Sequence, residues 1–170
     1  MALIHSFPPV AAPDARILIL GSIPGEASLR ARQYYGHPRN LFWPILGELV
    51  GARPELPYPA RLAALRTARI ALWDVLQCCE RTGSMDSAIE ETTLIPNDFA
   101  DFFARHPQIE RIYFNGAKAE ASFRRHVLPT MDASRLRCRR LPSTSPANAG
   151  ISPARRLEAW RALVDDGLLV

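Results

Sequence analysis

The sequence predicts an α/β protein in which a central, mostly parallel, four-stranded sheet lies between two layers of helices. Short runs of apolar or alternating residues recur four times along the chain, at lengths that suit strands. Segments with apolar residues at helical spacing separate these runs. Strands that alternate with helices are typical of parallel sheets joined by crossover helices, which gives a three-layer α/β/α sandwich.

The first strand is predicted at residues 16–21, an apolar run that ends in glycine and has the character of a buried strand. Residues 1–15 are rich in proline and alanine, and we expect them to form a surface lead-in. Residues 22–40 are polar and contain several Gly and Pro residues, which predicts a long loop. Helical spacing then predicts helices over 41–50 and 59–68.

The second strand is predicted at residues 69–74. Residues 75–95 are expected to form a loop with short helical pieces, one of them at 85–89. An amphipathic helix is predicted over 97–106, with Asn97 as its N-terminal cap.

The third strand is predicted at residues 111–116, where the chain again ends a strand at glycine, and a helix is expected over 117–127. Residues 136–141 alternate in the way that suits a strand at a sheet edge. A loop rich in Pro, Ser and Gly follows at 142–152, and a closing helix is predicted over 153–164. Because ligands bind beyond the carboxyl ends of parallel strands, we expect the loops after the strands to converge on one site.

A single domain is expected over residues 1–170, because 48% of the residues are hydrophobic and the length suits one core. No apolar run approaches the roughly 20 residues that cross a membrane, and no signal peptide is recognisable. We therefore expect a cytoplasmic protein without membrane contact, and a monomer. Cys78, Cys79 and Cys138 are too few for a four-ligand zinc or iron–sulfur site, so no metal and no cofactor are expected. The net charge of +4 fits a polyanionic partner, although many unrelated proteins are equally basic.

The first motif is residues 21–25 (Gly-Ser-Ile-Pro-Gly), at the end of the first predicted strand. Glycines allow a tight turn and a close approach of the backbone to a ligand. Neither the glycine spacing of a dinucleotide-binding loop nor the Gly-Lys-Ser/Thr of a P-loop is present. A strand-ending turn without any ligand remains the alternative.

The most informative stretch is residues 34–43 (Tyr-Tyr-Gly-His-Pro-Arg-Asn-Leu-Phe-Trp). Tyr35 lies in the predicted loop, where packing does not readily explain an aromatic ring. Asn40 is a candidate either for chemistry or for the N-terminal cap of the next helix. The two aromatic residues that begin this helix are interpreted as core residues, and His37 as a residue that orders the loop.

A third motif, residues 144–150 (Thr-Ser-Pro-Ala-Asn-Ala-Gly), follows the fourth predicted strand. Serine hydroxyls and free backbone N–H groups in such a loop can bind phosphates. Because Ser-Pro loops are common, this motif says little when it is considered alone. The predicted fold, however, brings all three motifs to the same rim of the sheet.

The chain resembles the uracil-DNA glycosylase superfamily through residues 21–25, the run 37–43 (His-Pro-Arg-Asn-Leu-Phe-Trp) and residues 145–147 (Ser-Pro-Ala). The resemblance spans residues 16–160, and the nearest branch is that of the hypoxanthine-DNA (deoxyinosine) glycosylases. The second run is also similar to that of the mismatch-specific uracil glycosylases. The resemblance predicts the same three-layer fold.

This sequence departs from the pattern of most branches at two positions. Ile23 stands where most branches carry a water-activating Asp or Asn, and a hydrocarbon side chain cannot polarise water. Ser143 stands where the uracil-specific branch has a histidine. The hypoxanthine branch is distinguished by the first loss, and its catalytic asparagine matches Asn40.

The resemblance implies a monofunctional glycosylase that flips a deaminated base, with hypoxanthine favoured, out of DNA and hydrolyses its N-glycosidic bond. Asn40 is then the catalytic residue, which orients the attacking water, and Tyr35 stacks on the flipped base. Asn115 and Asp74 are the other candidates for base binding. The DNA-binding candidates lie in the two loops of small residues and are Ser22, Pro24, Gly25, Ser143, Ser145, Pro146, Ala147 and Asn148.

Three alternatives remain. A uracil-preferring enzyme on the same scaffold is the first, because uracil and hypoxanthine both present a ring N–H beside a carbonyl. A nucleic-acid-binding module that lost its chemistry at Ile23 is the second. An acyl-transfer hydrolase that uses Ser22 is the third, although the Gly-x-Ser-x-Gly elbow is missing. A Schiff-base lyase step is not expected, since Lys118 is the only lysine and lies on a predicted helix.

Overall fold

The computed structural model describes residues 2–166. The strands in that part of the chain are β1 (Ala2–His5), β2 (Ile17–Gly21), β3 (Ile70–Asp74), β4 (Leu76–Arg81), β5 (Ile95–Pro96), β6 (Arg111–Asn115) and β7 (Arg137–Leu141). The α-helices are α1 (Glu26–Ala31), α2 (Phe42–Val50), α3 (Tyr58–Thr67), α4 (Phe99–Arg105), α5 (Ala117–His126), α6 (Pro153–Trp160) and α7 (Ala162–Asp165). Short 3₁₀ helices lie at Asp86–Ala88, Glu91–Thr93 and Leu128–Thr130.

Four strands form a fully parallel sheet in the order β3-β2-β6-β7. These are the four strands predicted from the sequence, each within one residue at either end. β7 lies at an edge of the sheet, as its alternating residues predicted. The all-apolar β2 is central and is buried throughout, which is typical of a parallel strand covered on both faces.

Helices cover both faces of this sheet, so the predicted three-layer sandwich is confirmed. Along β2, Ile17 and Ile19 face a cluster that includes side chains of α2, α3 and α6. Leu18 and Leu20 face the opposite cluster, which includes side chains of α4 and α5. The alternation of the strand thus supplies two cores, one on each side of a single sheet.

A second sheet was not predicted. β1, β4 and β5 form an antiparallel three-stranded sheet, so the expectation of a surface lead-in at 1–15 was wrong. Ile4 is buried in the core, and Val10 forms a bridge to Leu72 of β3. The partner of β1 lies far along the chain, and local composition carries no signal of such a pairing.

The expected loop at 75–95 was wrong in its first part, because a single residue separates the end of β3 from the start of β4, and β4 buries Leu76, Cys79 and Arg81. The short helical piece expected at 85–89 is confirmed by the 3₁₀ helix there. The expected loop at 22–40 also contains α1. The closing helix expected over 153–164 is interrupted at Arg161, where α6 ends and α7 begins.

The helix predicted over 97–106 is capped by Asp98, whose side chain accepts a hydrogen bond from the Asp101 N–H at 3.1 Å. The prediction of Asn97 as the cap was therefore wrong. Asn97 instead donates from Nδ2 to the carbonyl oxygen of Asp74 at 2.8 Å. This bond fixes the end of β3, next to the site described below.

Among residues 2–166, no helix combines the length and the apolar character needed to cross a bilayer. The domain predicted over 1–170 extends beyond these residues at both ends, since residue 1 and residues 167–170 lie outside the part that the structure describes.

Candidate active site

A cavity of about 1010 Å³ opens at the carboxyl edge of the parallel sheet. The last residue of each parallel strand lines it: Gly21, Asp74, Asn115 and Leu141. The loops that follow the strands therefore converge on one site, as the sequence predicted. Eleven of the twelve predicted site residues line this cavity, namely Tyr35, Asn40, Asp74, Asn115, Ser22, Gly25, Ser143, Ser145, Pro146, Ala147 and Asn148.

Pro24 is the exception among the predicted site residues. It is buried and does not line the cavity, and its carbonyl oxygen accepts a 2.7 Å hydrogen bond from the guanidinium of Arg81. Pro24 therefore fixes the turn from within, and a direct contact with DNA is not supported for it.

Tyr35 is held rigidly although it lies in a loop. Its backbone has a φ of 54°, a left-handed conformation that is uncommon outside glycine and often marks a functional site. Its ring stacks on the ring of Phe42, with centroids 4.1 Å apart and planes inclined by 23°. Phe42 is fully buried, so the platform rests on the core, and the expectation that Phe42 and Trp43 are core residues is confirmed.

Two side chains approach the backbone of Gly21 so closely that no larger residue fits there without a shift. A Cβ atom at this position would lie 2.6 Å from Oδ1 of Asp74 and 2.8 Å from the hydroxyl oxygen of Tyr35. Both oxygens thus reach the same point at the base of the cavity. The hydroxyl of Tyr35 is buried and has no hydrogen-bond partner within residues 2–166.

Asp74 is almost fully buried, and its Oδ2 atom has no hydrogen-bond partner in the described part of the chain. Burial, and then the charge of Asp86, raise the pKa of Asp74 to about 7, while Arg81 opposes the shift. Near neutral pH this carboxyl group is thus able to hold a proton and to donate a hydrogen bond into the cavity. Burial and the Asp74 carboxylate also raise the pKa of Tyr35, and the nearby amide of Asn115 opposes this only in part, so the hydroxyl remains neutral.

Asn40 lies at the cavity wall, two residues before Phe42, the first residue of α2. Its Oδ1 accepts a hydrogen bond from the N–H of Phe42 at 2.9 Å, which orients the carboxamide. Leu41, the residue between them, occupies the cap position of α2 and donates its N–H to the carbonyl oxygen of Thr144 at 3.0 Å. The prediction of Asn40 as the N-terminal cap was therefore wrong by one position, although its side chain still supports the start of α2 and lines the cavity. His37 orders the same loop, since its Nδ1 accepts from the N–H of Arg39 at 3.0 Å.

Asn115 joins the end of β6 to the loop after β7. Its Oδ1 accepts from the Thr144 N–H at 2.9 Å, and its Nδ2 donates to Thr144 Oγ1 at 3.0 Å. One N–H of its amide is not used in this pair. Asn115 thus has a positioning role that sequence reasoning did not foresee, in addition to its place in the cavity wall.

The loop at 143–148 is held by bonds of its own and by a buried arginine. Asn148 donates from Nδ2 to the carbonyl oxygen of Ser143 at 3.0 Å. Arg156 of α6 donates to the carbonyl oxygens of Ser143 and Ser145, at 3.3 and 3.1 Å. Arg156 was missed because a lone arginine in an amphipathic helix usually faces solvent, whereas this one is only 6% exposed.

A second wall was also missed. It is the segment 82–87 that extends from β4, and it touches the first motif. Ser22 donates to Oδ1 of Asp86 at 2.6 Å, and Ser84 accepts from the N–H of Glu26 at 2.9 Å. Arg81 donates to the carbonyl oxygen of Gly83 at 2.8 Å. No local pattern in the sequence connects these residues, which only the second sheet brings together.

The contacts of Ser22 and Lys118 bear on the acyl-transfer alternative and on the Schiff-base step that was not expected. Ser22 bonds to a carboxylate and not to a histidine, so the base that an acyl-transfer nucleophile needs is missing beside it. Lys118 lies on α5 and pairs with Glu91. Within residues 2–166, no group of three or more His, Cys, Asp or Glu side chains is arranged to hold a metal ion.

Comparison with known proteins identifies the family of this chain. Residues 8–164 match the model of the uracil DNA glycosylase superfamily. The chain is 37% identical over 160 residues to the hypoxanthine DNA glycosylase of Methanosarcina acetivorans, which covers 94% of this chain and 96% of the relative. It is 41% identical over 116 residues to the hypoxanthine DNA glycosylase of Methanosarcina barkeri, which covers 68% of this chain and 72% of the relative.

The fold is shared with a solved structure. The solution NMR structure of a candidate uracil DNA glycosylase from Methanosarcina acetivorans matches with a TM-score of 0.76 and 34% sequence identity, over 96% of this chain and 99% of the other. The match of the family model over nearly the whole chain, the shared architecture and the cavity built from the expected loops all agree. The chain therefore belongs to the uracil DNA glycosylase superfamily.

Proposed function

We propose that this protein is a DNA glycosylase that removes a deaminated base, preferably hypoxanthine, by hydrolysis of its N-glycosidic bond. The observation that carries the proposal is one cavity that brings together the stacking platform Tyr35, the polar wall residue Asn40 and two loops of small residues. The names of the two curated relatives support hypoxanthine as the substrate. The reaction requires the base to leave the duplex stack before the glycosidic bond is accessible.

Tyr35 would receive the flipped base by stacking, because its ring is backed by Phe42 and lines the cavity. Stacking of a base on an aromatic ring contributes about 1–3 kcal/mol. Asp74 and the Tyr35 hydroxyl would contact the polar edge of the base. Oδ2 of Asp74 and the hydroxyl oxygen of Tyr35 are both buried, and neither has a hydrogen-bond partner within residues 2–166. A neutral carboxyl group both donates and accepts, which complements a ring N–H beside a carbonyl.

Asn40 would orient the attacking water through Oδ1. One lone pair of this oxygen accepts from Phe42, and the second is left for the water. The water oxygen bonds to C1′ as the C–N bond breaks, the base leaves with the electron pair, and the proton of the water passes to solvent. Because an amide is a poor base, Asn40 acts by positioning. Ile23 also lines the cavity and offers no polar atom for this step.

Two loops would bind the DNA backbone around the lesion. Residues 143–148 offer serine hydroxyls and backbone groups on one wall, and Ser22 and Gly25 lie on another. Exposed arginines Arg30 and Arg140 also line the cavity and would add favourable contacts with phosphates. These contacts fix the register of the enzyme on DNA and leave recognition of the lesion to the cavity.

The test is single-turnover excision from duplexes that carry deoxyinosine, deoxyuridine or only normal bases. We expect cleavage of the deoxyinosine strand, after alkaline treatment of the abasic product, and slower or no cleavage at deoxyuridine. Cleavage of uracil alone would overturn the preference for hypoxanthine. Lesion-specific binding without any cleavage would favour the non-catalytic module.

The sequence also predicted a monomer in the cytoplasm, and both remain part of this proposal. Light scattering coupled to size exclusion would measure the mass of the particle against the 18.9 kDa chain. Cell fractionation would test the location.

A further inference from the structure

Met85 is the exposed apolar residue at the rim of the cavity. Large hydrophobic side chains that remain exposed in residues 2–166 are Leu3, Leu56, Met85 and Ile95. Of these, only Met85 lines the cavity, and it is 55% exposed there. In the free protein this apolar side chain is exposed to water at the cavity, so its burial against a bound ligand would be favourable.

The segment that carries Met85 is fixed on both sides of it. Ser84 accepts a hydrogen bond from Glu26 N–H at 2.9 Å, and Asp86 accepts one from Ser22 at 2.6 Å. The Met85 carbonyl oxygen accepts from the Ala88 N–H at 3.0 Å within the short 3₁₀ helix. Met85 is thus an apolar side chain presented from an anchored backbone, next to the first motif.

The wall formed by residues 143–148 offers smaller apolar side chains, among them the half-buried Pro146. Its exposed residue Ala147 is small, and Asn148 is polar and bonded to Ser143. A flipped nucleotide leaves a gap in the base stack, and proteins fill such gaps with apolar side chains, methionine among them. A methyl group is too short for this purpose and the proline ring is short and rigid, whereas the Met85 side chain is long, flexible and exposed at the rim.

We propose that Met85 inserts into the DNA base stack beside the flipped nucleotide and favours its extrahelical state. This role for Met85 rests on the proposed function, because it assigns Met85 to the base flipping that must precede hydrolysis of the N-glycosidic bond. Met85 does not touch the reacting atoms and is a positioning residue. Met85 is expected to assist excision only from duplex DNA, because flipping a base out of a single strand leaves no gap in a base-paired stack.

The experiment compares wild-type protein with Met85→Ala and Met85→Leu, and uses Leu3→Ala as a control for loss of an exposed apolar residue away from the cavity. Single-turnover excision is measured on duplex and single-stranded oligonucleotides that carry deoxyinosine. We expect Met85→Ala to lower duplex excision by about tenfold or more, with little change on the single strand. Met85→Leu and Leu3→Ala are expected to stay near wild type.

A spectroscopic readout separates this proposal from the proposed function. Fluorescence of 2-aminopurine placed beside the lesion rises when the neighbouring stack is disrupted, whether or not a base is released. We expect wild-type protein to raise the fluorescence and Met85→Ala to raise it less. If wild-type protein excises nothing, the proposed function fails while the fluorescence still tests Met85. Two results would overturn the role of Met85. One is equal fluorescence with wild-type protein and with Met85→Ala, and the other is an equal loss of excision by Met85→Ala on duplex and single-stranded DNA.

Discussion

The ring of Tyr35 lies 4.1 Å, centroid to centroid, from the ring of Phe42, and the two planes are nearly parallel. Phe42 in turn makes an edge-to-face contact with Trp160 of α6, at 6.1 Å between centroids. A cavity residue is therefore joined to the core by a continuous column of aromatic rings. This arrangement holds Tyr35 in place before any base arrives, which reduces the conformational entropy lost on binding.

Two substitutions at Tyr35 distinguish the role of its ring from the role of its hydroxyl. Tyr35→Ala removes the platform, so we expect excision efficiency to fall by about 10- to 100-fold, which corresponds to the loss of about 1–3 kcal/mol of stacking. Tyr35→Phe keeps the ring and deletes a buried hydroxyl without an internal partner. We expect this variant to be at least as stable as wild type in thermal unfolding and to lose less activity than Tyr35→Ala, because it keeps the stacking ring and loses one polar contact with the base. A loss in Tyr35→Phe as large as that in Tyr35→Ala would contradict the role of the ring as the main contact with the base.

Gly21→Ala tests the close approach at the base of the cavity. The new methyl group would lie within 2.8 Å of Asp74 and Tyr35 oxygens, so both side chains must move. We expect a loss of about 1–3 kcal/mol in unfolding free energy, measured by urea denaturation, and a clear loss of excision. The matched control is Gly25→Ala, where the nearest atoms are 3.5 Å away on Ser84 and φ is −77°. Its cost is expected to stay below about 1 kcal/mol, and equal costs at the two positions would contradict the steric argument.

Asp74→Asn tests the buried carboxyl group through the pH dependence of stability. Burial and Asp86 raise the pKa of Asp74 in the folded protein from 3.8 to about 7, so the folded state favours the protonated form. The stability contributed by this group is fully present below the unfolded pKa and is lost as pH rises through the folded pKa. A neutral amide avoids this loss.

We therefore expect Asp74→Asn to gain stability relative to wild type as the pH increases. The gain is expected to approach about 4 kcal/mol near pH 9 and to be less than about half of that near pH 5. Urea denaturation at the two pH values measures the difference. A stability difference that does not change with pH would show that Asp74 titrates normally.

Asn40 has a structural and a proposed chemical role, and two substitutions separate them. Asn40→Ala removes the acceptor for the Phe42 N–H, so we expect a loss of about 0.5–2 kcal/mol in unfolding free energy. Asn40→Ser supplies a hydroxyl acceptor and is expected to recover most of that stability. Both variants are expected to lose about 100-fold or more in single-turnover excision, since neither carries the carboxamide. Recovery of activity together with stability in Asn40→Ser would show that Asn40 only supports α2.

Much of the site could be predicted from sequence because its residues follow predicted strands. Gly21, Asp74 and Asn115 each end a strand, and parallel strands end at the same edge of a sheet. Arg81 and Arg156 could not be predicted, because the carbonyl groups that bind them belong to distant segments. The wall that carries Met85 was missed for the same reason, since it depends on the pairing of β4 with β1 and β5.

The sequence by itself determined the parallel sheet, the positions of its strands and the loops that meet at its carboxyl edge. These features follow from periodicity and turn residues, which act over a few neighbouring positions. Only the tertiary structure decided the second sheet, the stacking of Tyr35 on Phe42 and the burial of Asp74 beside Asp86 and Arg81. The second sheet pairs segments far apart in the chain, and the other two features depend on how loops fold back on the core, where distance and exclusion of water, rather than residue type, set the energy.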